Sequence, residues 1–226
     1  MTAPGRSKGE ATRQHVFDTA LKLFRRRGVE RTTMRDIADA AELSLGAAYH
    51  YFESKDALVE AYYEWMQAEH ERRTADGCPR EASLEARLHG LLVTKLELLR
   101  RDRKLLAALF ANLGDASHPL SVFSRRTAPT RERSIAQFVA LFDHEPLPVE
   151  LRELLGRAIW LAHLGVFLFF VHDGSALQIR TQKLIALLVE ATSKGTPLLA
   201  HPLAEPIRRR LLELSADLSV ERLGAR

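Results

Sequence analysis

Two helix-start signals stand eleven residues apart in this chain, and each opens a helix too short to be stable alone. The first is Thr33-Met34-Arg35-Asp36, a hydroxyl followed three residues on by a carboxylate, which has the form of a capping box. The second is Ser44, directly before Leu45. Ile37, Ala38 and Ala41 give the first helix, Met34–Ala41, one buried face. The turn Glu42-Leu43 then leads into the second helix, Leu45–Tyr51. Such helices must lean on each other and on their neighbours. Two short helices joined by three or four residues cross steeply, and the small residues Ala38, Ala41 and Ala48 allow a close approach. The segment is predicted to be a helix-turn-helix whose second helix can enter a DNA major groove about 12 Å wide.

The flanking sequence is helical too. Residues 1–9 read as an unstructured basic arm, with Arg6, Lys8 and, further on, Arg13. From Glu10, the positions Val16, Phe17, Ala20, Leu23 and Phe24 make one apolar face. Arg25, Arg26 and Arg27 suit the negative end of that helix, and Gly28 reads as a left-handed cap. Ser54 caps a long helix through Leu58, Ala61, Tyr62 and Trp65 to about Arg73, with Asp56 in its first turn. Thr74–Pro79 breaks the pattern, which predicts one domain over 10–73 and a second over 74–226. Beyond the break, helices are predicted over 83–101, 102–113, 130–143, 148–173, 175–194 and 203–219. Their stops are Gly114, Pro119, Pro129, Pro146, Pro148, Gly174, Gly195, Pro197 and Pro202. Ser175-Ala176-Leu177-Gln178 reads as a further capping box. No useful length of sequence alternates with period two, so the predicted fold is all-α: an N-terminal three-helix head joined by a long fourth helix to a larger helical domain.

The formal charge of +4 mildly favours anionic partners. More telling is the short second helix, which has no acidic residue between Ser44 and Phe52. A surface free of carboxylates is what a phosphate backbone requires. The single cysteine, Cys78, forms no intramolecular disulfide and points to a reducing compartment. The N-terminus lacks an apolar signal segment, and the longest apolar run, Ala158–Val171, contains His163 and falls short of the roughly 20 residues a membrane span needs. A cytoplasmic protein with no membrane partner is expected. Nine histidines invite a metal-enzyme reading, but the chain has no H-E-x-x-H, and His163 and His172 fall on opposite sides of a helix. It also lacks the nucleophile elbow G-x-S-x-G, the Walker loop and the dinucleotide fingerprint. No catalytic residue, metal site or cofactor is expected.

Thr32-Thr33, Ile37-Ala38, Ser44-Leu45-Gly46-Ala47-Ala48-Tyr49-His50-Tyr51-Phe52 and Ser54-Lys55 together resemble the head of the tetracycline-repressor (TetR) family, over about residues 10–65. The resemblance implies a sequence-specific transcription regulator, a repressor released from a palindromic operator by a small molecule. It implies DNA contacts from Thr33, Arg35, Ser44, Leu45, Gly46, Ala47, Tyr49, His50, Tyr51 and Lys55, with 45–51 as the reading helix. Thr33, Ser44 and the tyrosines would offer hydroxyls to phosphate or bases, and Lys55 would meet phosphate. Leu45 and Ala47 depart from the polar or basic residues many relatives carry. They can make only apolar contact with thymine methyls, which shifts readout toward DNA shape and toward Arg35, Tyr49 and His50.

In that family the C-terminal part binds a small molecule and dimerises. The run Ala158–Val171 is apolar on every side and needs covering on every side. A homodimer through 148–173 and 175–194 is therefore expected. The effector is expected to be hydrophobic or amphipathic, among Phe110, Phe123, Phe138, Phe142, Trp160, His163 and Phe167, with Arg103, Asn112 and His163 as candidate polar anchors.

Overall fold

The computed structural model of the chain describes residues 7–77, 82–111, 113, 115, 117–118 and 121–217. Among these residues there are helices and no strands. The α-helices are α1 (Lys8–Arg27), α2 (Met34–Ala40), α3 (Leu45–Tyr51), α4 (Lys55–Gly77), α5 (Leu84–Leu99), α6 (Arg103–Ala111), α7 (Ala128–Ala140), α8 (Val149–His172), α9 (Ile179–Ala200) and α10 (Glu205–Asp217). Short 3-10 turns occupy Arg100–Asp102, Ala176–Gln178 and Pro202–Ala204.

The chain forms two compact units. One comprises Met1–Glu69 with Leu98–Arg131, the other His70–Glu97 with Glu132–Arg226. The expected single cut near residue 73 does not describe this compactness, because α6 and the start of α7 cluster with the head. In the first unit, Val16, Phe17, Ala20 and Phe24 of α1 are buried with Ile37, Ala38, Ala48, Phe52, Leu58 and Tyr62. Phe17 stacks on Phe52 at 6.4 Å between ring centroids. In the second unit Gly156 of α8 lies against Val139 of α7, where an added Cβ would come within 2.5 Å of the Val139 Cα. No larger residue fits there unless the two helices part.

Several boundaries differ from the sequence reading, for identifiable reasons. The first helix starts at Lys8 instead of Glu10, because Ser7 and Glu10 form a reciprocal capping box. Gly28 has φ 87° as expected of a cap, but ψ 161° takes it out of the left-handed helical region. α4 continues to Gly77, through the predicted break at Thr74. Pro129 starts α7 instead of ending a segment, since proline is tolerated in a first turn. α9 runs on through Gly195 and Pro197 to Ala200. Pro197 is exposed and lies in the last turn of that helix. The Ser175 side chain makes no cap of its own 3-10 turn. Its hydroxyl instead donates to Asp173 at 2.6 Å, and Asp173 also accepts from the Thr181 amide (2.9 Å) and hydroxyl (2.7 Å). Asp173 thereby ties the end of α8 to the start of α9. The predicted features at Arg6, Cys78, Pro79, Asn112, Gly114 and Pro119 lie outside the described residues.

Candidate nucleic-acid interface

The reading face is built by two caps and a tight turn. Thr33 Oγ1 accepts from the Asp36 amide at 3.1 Å while Asp36 accepts from the Thr33 amide at 2.8 Å, completing the box that starts α2. α2 ends in the pattern of a Schellman motif: the Leu43 amide reaches the Ala38 carbonyl (3.0 Å) and the Glu42 amide the Asp39 carbonyl (3.2 Å). Glu42 takes the left-handed position at φ 57°, where glycine is the usual occupant. Ser44 Oγ then accepts from the Ala47 amide at 3.1 Å and starts α3. His15 Nε2 meets the Ala41 carbonyl at 3.2 Å, fixing α1 to the same turn.

This construction determines what α3 presents. Ala48 is buried and so is the cap residue Phe52, so the opposite side of the helix faces out. Ser44, Gly46 and His50 are exposed, and Tyr49 is 46% exposed, unusual for a tyrosine with no partner in the core. Leu45, Ala47 and Tyr51 are half-buried, and Thr33 and Arg35 are exposed at the start of α2. His50 and Tyr51 meet edge to face at 5.1 Å. Of the expected contact residues, Thr33, Arg35, Ser44, Gly46, Tyr49 and His50 are thus open to solvent, while Leu45, Ala47 and Tyr51 are partly covered. Lys55 differs from the rest: its ammonium donates to the Val29 carbonyl at 2.9 Å, so one of its three N–H groups is spent holding the loop after α1. A cleft of about 550 Å³ opens beside Tyr49 and Arg13, but Glu53, Glu60 and Glu64 line it, so it does not suit phosphate.

The first unit holds a feature the sequence reading missed. Asp102, in the turn before α6, is fully buried. Arg25 Nε donates to Asp102 at 2.5 Å, a second guanidinium nitrogen donates at 3.3 Å, and the Tyr62 hydroxyl donates at 2.9 Å. The hydrogen bond to Asp102 raises the Arg25 pKa, while burial and then the Asp102 charge raise that of Tyr62. This carboxylate joins the end of α1, the middle of α4 and the turn into α6. Arg25 had suggested only a dipole-facing terminus. An aspartate inside Arg-Arg-Asp-Arg-Lys carries no local sign that it is buried.

Of the seven residues expected around an effector, Phe138, Phe142, Trp160, His163 and Phe167 lie buried in the second unit. Phe110 and Phe123 belong to the first unit, where Phe123 is exposed, and Arg103 begins α6 there. The His163 ring lies 4.7 Å from Phe138, 5.8 Å from Trp160 and 5.7 Å from Phe167. Its Nδ1 faces the Trp160 carbonyl, and the Trp160 indole donates to Ser134 at 3.2 Å.

A capped helix pair whose second helix carries no carboxylate, followed by a long helix and a further helical unit, defines a helix-turn-helix DNA-binding regulator. Residues 16–62 match the family described as bacterial regulatory proteins, tetR family, and residues 87–201 match the tetracyclin repressor-like C-terminal domain. The chain belongs to the TetR family, whose members regulate transcription and are not enzymes. α10 lies beyond the matched residues.

Similar proteins include the HTH-type transcriptional repressor KstR2 of Rhodococcus jostii (strain RHA1), 37% identical over 33% of this chain and 38% of that protein. The probable acrEF/envCD operon repressor of Escherichia coli (strain K12) is 45% identical over 27% of this chain and 28% of that protein. The chain thus spans well under half the length of these relatives. Among solved structures, a TetR-family transcriptional regulator from Streptomyces coelicolor is 24% identical with a TM-score of 0.63, covering 92% of this chain and 98% of that one. A putative TetR-family regulator from Syntrophomonas wolfei is 15% identical with a TM-score of 0.66, covering 83% and 97%. These likenesses support the fold.

Proposed function

We propose that this chain is a homodimeric transcriptional repressor that reads a palindromic operator through α3 and is released by a small apolar or amphipathic effector bound in its C-terminal domain. The observation that carries the DNA reading is the outer face of α3, where Tyr49 and His50 are exposed around a buried Ala48, with no carboxylate from Ser44 to Phe52. Thr33, Arg35, Ser44, Leu45, Gly46, Ala47 and Tyr51 complete the proposed footprint, with Lys55 at its edge. Repression is what the names of the relatives from Rhodococcus and Escherichia coli state of those proteins, and it extends to this chain as part of the proposal. A DNA target also implies a cytoplasmic protein.

Exposed apolar residues support the dimer. On α8, Leu161, Leu168 and Phe169 are exposed, and on α9 so is Leu187. Leu161, Gly165 and Leu168 recur at helical spacing, which makes one stripe with Phe169 beside it. α8 is long and apolar enough, by length and composition alone, to cross a membrane. Packing of this stripe against a second copy is the reading we favour, because Trp160, His163, Phe167 and Phe170 on the other side are already buried within the chain. A two-fold dimer places two reading helices about 34–36 Å apart, one turn of B-DNA. The effector would act by changing that separation, and α4 is the continuous element leading from the head into the second unit.

Selection of bound duplexes from a random DNA pool tests the reading. A recovered inverted repeat with half-site centres one helical turn, or a simple multiple, apart is expected. Enrichment of single half-sites, or of no sequence, overturns it.

A further inference from the structure

The arginines of α1 are used differently. Arg25 is bound to Asp102, and Arg27 pairs with Asp36 at 3.4 Å. Arg13 is exposed and, among the described residues, its side chain makes no ion pair and no hydrogen bond. Its guanidinium lies instead over the Phe52 ring, 4.4 Å from the centroid. Phe52 is the buried C-cap residue of α3. Arg13 is thereby fixed at the end of the reading helix, and it lines the same cleft as Tyr49 and His50. Two residues further along α1, His15 meets the Ala41 carbonyl and anchors this part of the helix to the turn before α3.

The carboxylates of that cleft do not take this cation. Glu60 accepts from Arg126 at 2.9 Å and Glu64 from the Thr130 hydroxyl at 2.7 Å. A guanidinium stacked on a ring uses its face, while its five N–H donors lie along its edge. The contact that holds Arg13 in place therefore leaves its hydrogen-bonding capacity unspent. Lys55, by contrast, gives one donor to Val29. A planar cation held still, with free donors along its edge, is complementary to the oxygens of a phosphate. We propose that Arg13 contacts a backbone phosphate of the operator at the C-terminal end of α3, outside the glutamate-lined cleft, and so fixes the register of the reading helix. The proposal rests on the DNA-reading role of α3 and extends the footprint to α1. Ser44 stands at the start of α3, so a hydroxyl and a guanidinium bracket the helix. A phosphate contact of this kind positions the protein without reading sequence.

The same side chain shields the Phe52 ring, so the test separates shielding from charge. A duplex recovered by selection and a random duplex of equal length are titrated with the full chain over a range of salt, read by fluorescence anisotropy. Arg13→Met keeps an apolar cover on Phe52 and removes the charge. It is expected to weaken both duplexes about tenfold at the lowest salt and to lower the log–log salt slope by about one unit, with the selected-to-random ratio changed less than about threefold. Arg13→Lys should restore the slope but only part of the affinity, because an ammonium on a flexible stem lacks the fixed fork. Arg209→Met, at an exposed position on α10, should leave both affinities unchanged. In thermal melts Arg13→Met should stay within about 2 °C of the wild type. An unchanged slope, with or without a lower Tm, overturns the proposal and leaves Arg13 as a cover for Phe52. A collapse of the selected-to-random ratio overturns it as well, since Arg13 would then read bases. Wild-type protein that binds neither duplex overturns the proposal together with the DNA-reading role of α3.

Discussion

Asp102→Ala is the most direct perturbation of the head, because one buried carboxylate serves three elements. The variant removes the acceptor of the Tyr62 hydroxyl, which is itself buried, at a cost of about 1–3 kcal/mol. It also releases Arg25. That side chain is 35% exposed, so water screens the pair and replaces part of the lost interaction, and this share is discounted to about 0.5–1 kcal/mol. The sum, about 1.5–4 kcal/mol, falls at or below the roughly 3–5 kcal/mol typical when one member of a fully buried pair is removed. For a chain of this size about 1 kcal/mol shifts Tm by roughly 2–4 °C, so a loss of roughly 3–16 °C is expected. Asp102→Asn keeps the shape and an acceptor for Tyr62 but not the charge, and should lose about half as much. Calorimetry supplies the magnitudes, and Tyr62→Phe combined with Asp102→Asn isolates the coupling between the two groups. Hydrogen exchange should show faster opening at the end of α1 and in α6. A Tm change for Asp102→Ala no larger than that of the exposed control Asp39→Ala would refute the reasoning.

Four further outcomes are expected. Gly156→Ala should destabilise by more than about 2 kcal/mol in urea melts, despite the roughly 1 kcal/mol gain in helix propensity, because the new Cβ meets Val139 backbone at 2.5 Å; a stabilised variant would show that the helices part freely. His70 and His163 have folded pKa values of about 4 and about 3, below the ordinary value of 6.5, so the unfolded chain takes up their protons first. Their contribution is complete above about pH 6.5 and is lost as pH falls toward those folded values, roughly 2 kcal/mol per histidine by pH 5, and His163→Phe should flatten the measured slope. Phe169→Asp should give monomers by light scattering where the wild type gives twice the 25.5 kDa chain mass, since Phe169 is 41% exposed and its neighbour Phe170 is not exposed at all. Lys55→Ala should lower the log–log salt slope of DNA binding by about one unit for every sequence alike if its ammonium reaches phosphate; an unchanged slope with a lower Tm would leave it only the bond to Val29.

The head was legible in sequence because its signals are local. Thr33 with Asp36, and Ser44 before Leu45, act within one turn of themselves, and both caps form as their spacing indicates. Where a local signal was passed over, the error was also local: Ser7 and Glu10 are the same box one helix earlier, hidden by the glycine between them. The Ser175 box failed for the complementary reason. Its residues fit the pattern, but Leu177 and Gln178 take left-handed backbone (φ 52° and 54°), and the Ser175 oxygen accepts from the Arg180 amide at 3.3 Å in place of the Gln178 amide.

What stayed hidden depends on partners far along the chain. Arg25 and Asp102 are 77 residues apart, so nothing near either shows that they meet or that one of them is buried. Lys95 is harder still, since a lysine in Thr-Lys-Leu-Glu reads as a solvated helix face. Helical periodicity places Leu91, Leu92, Lys95, Leu96 and Leu99 together, and the pattern reads more simply with the lysine at the margin, its ammonium in water. The structure puts it inside. Burying that ammonium costs stability that builds up as pH falls from its ordinary value of 10.5 to its folded pKa of about 7 and is complete below that, because the unfolded chain holds the proton more tightly. A core selected for stability alone would carry methionine at this position.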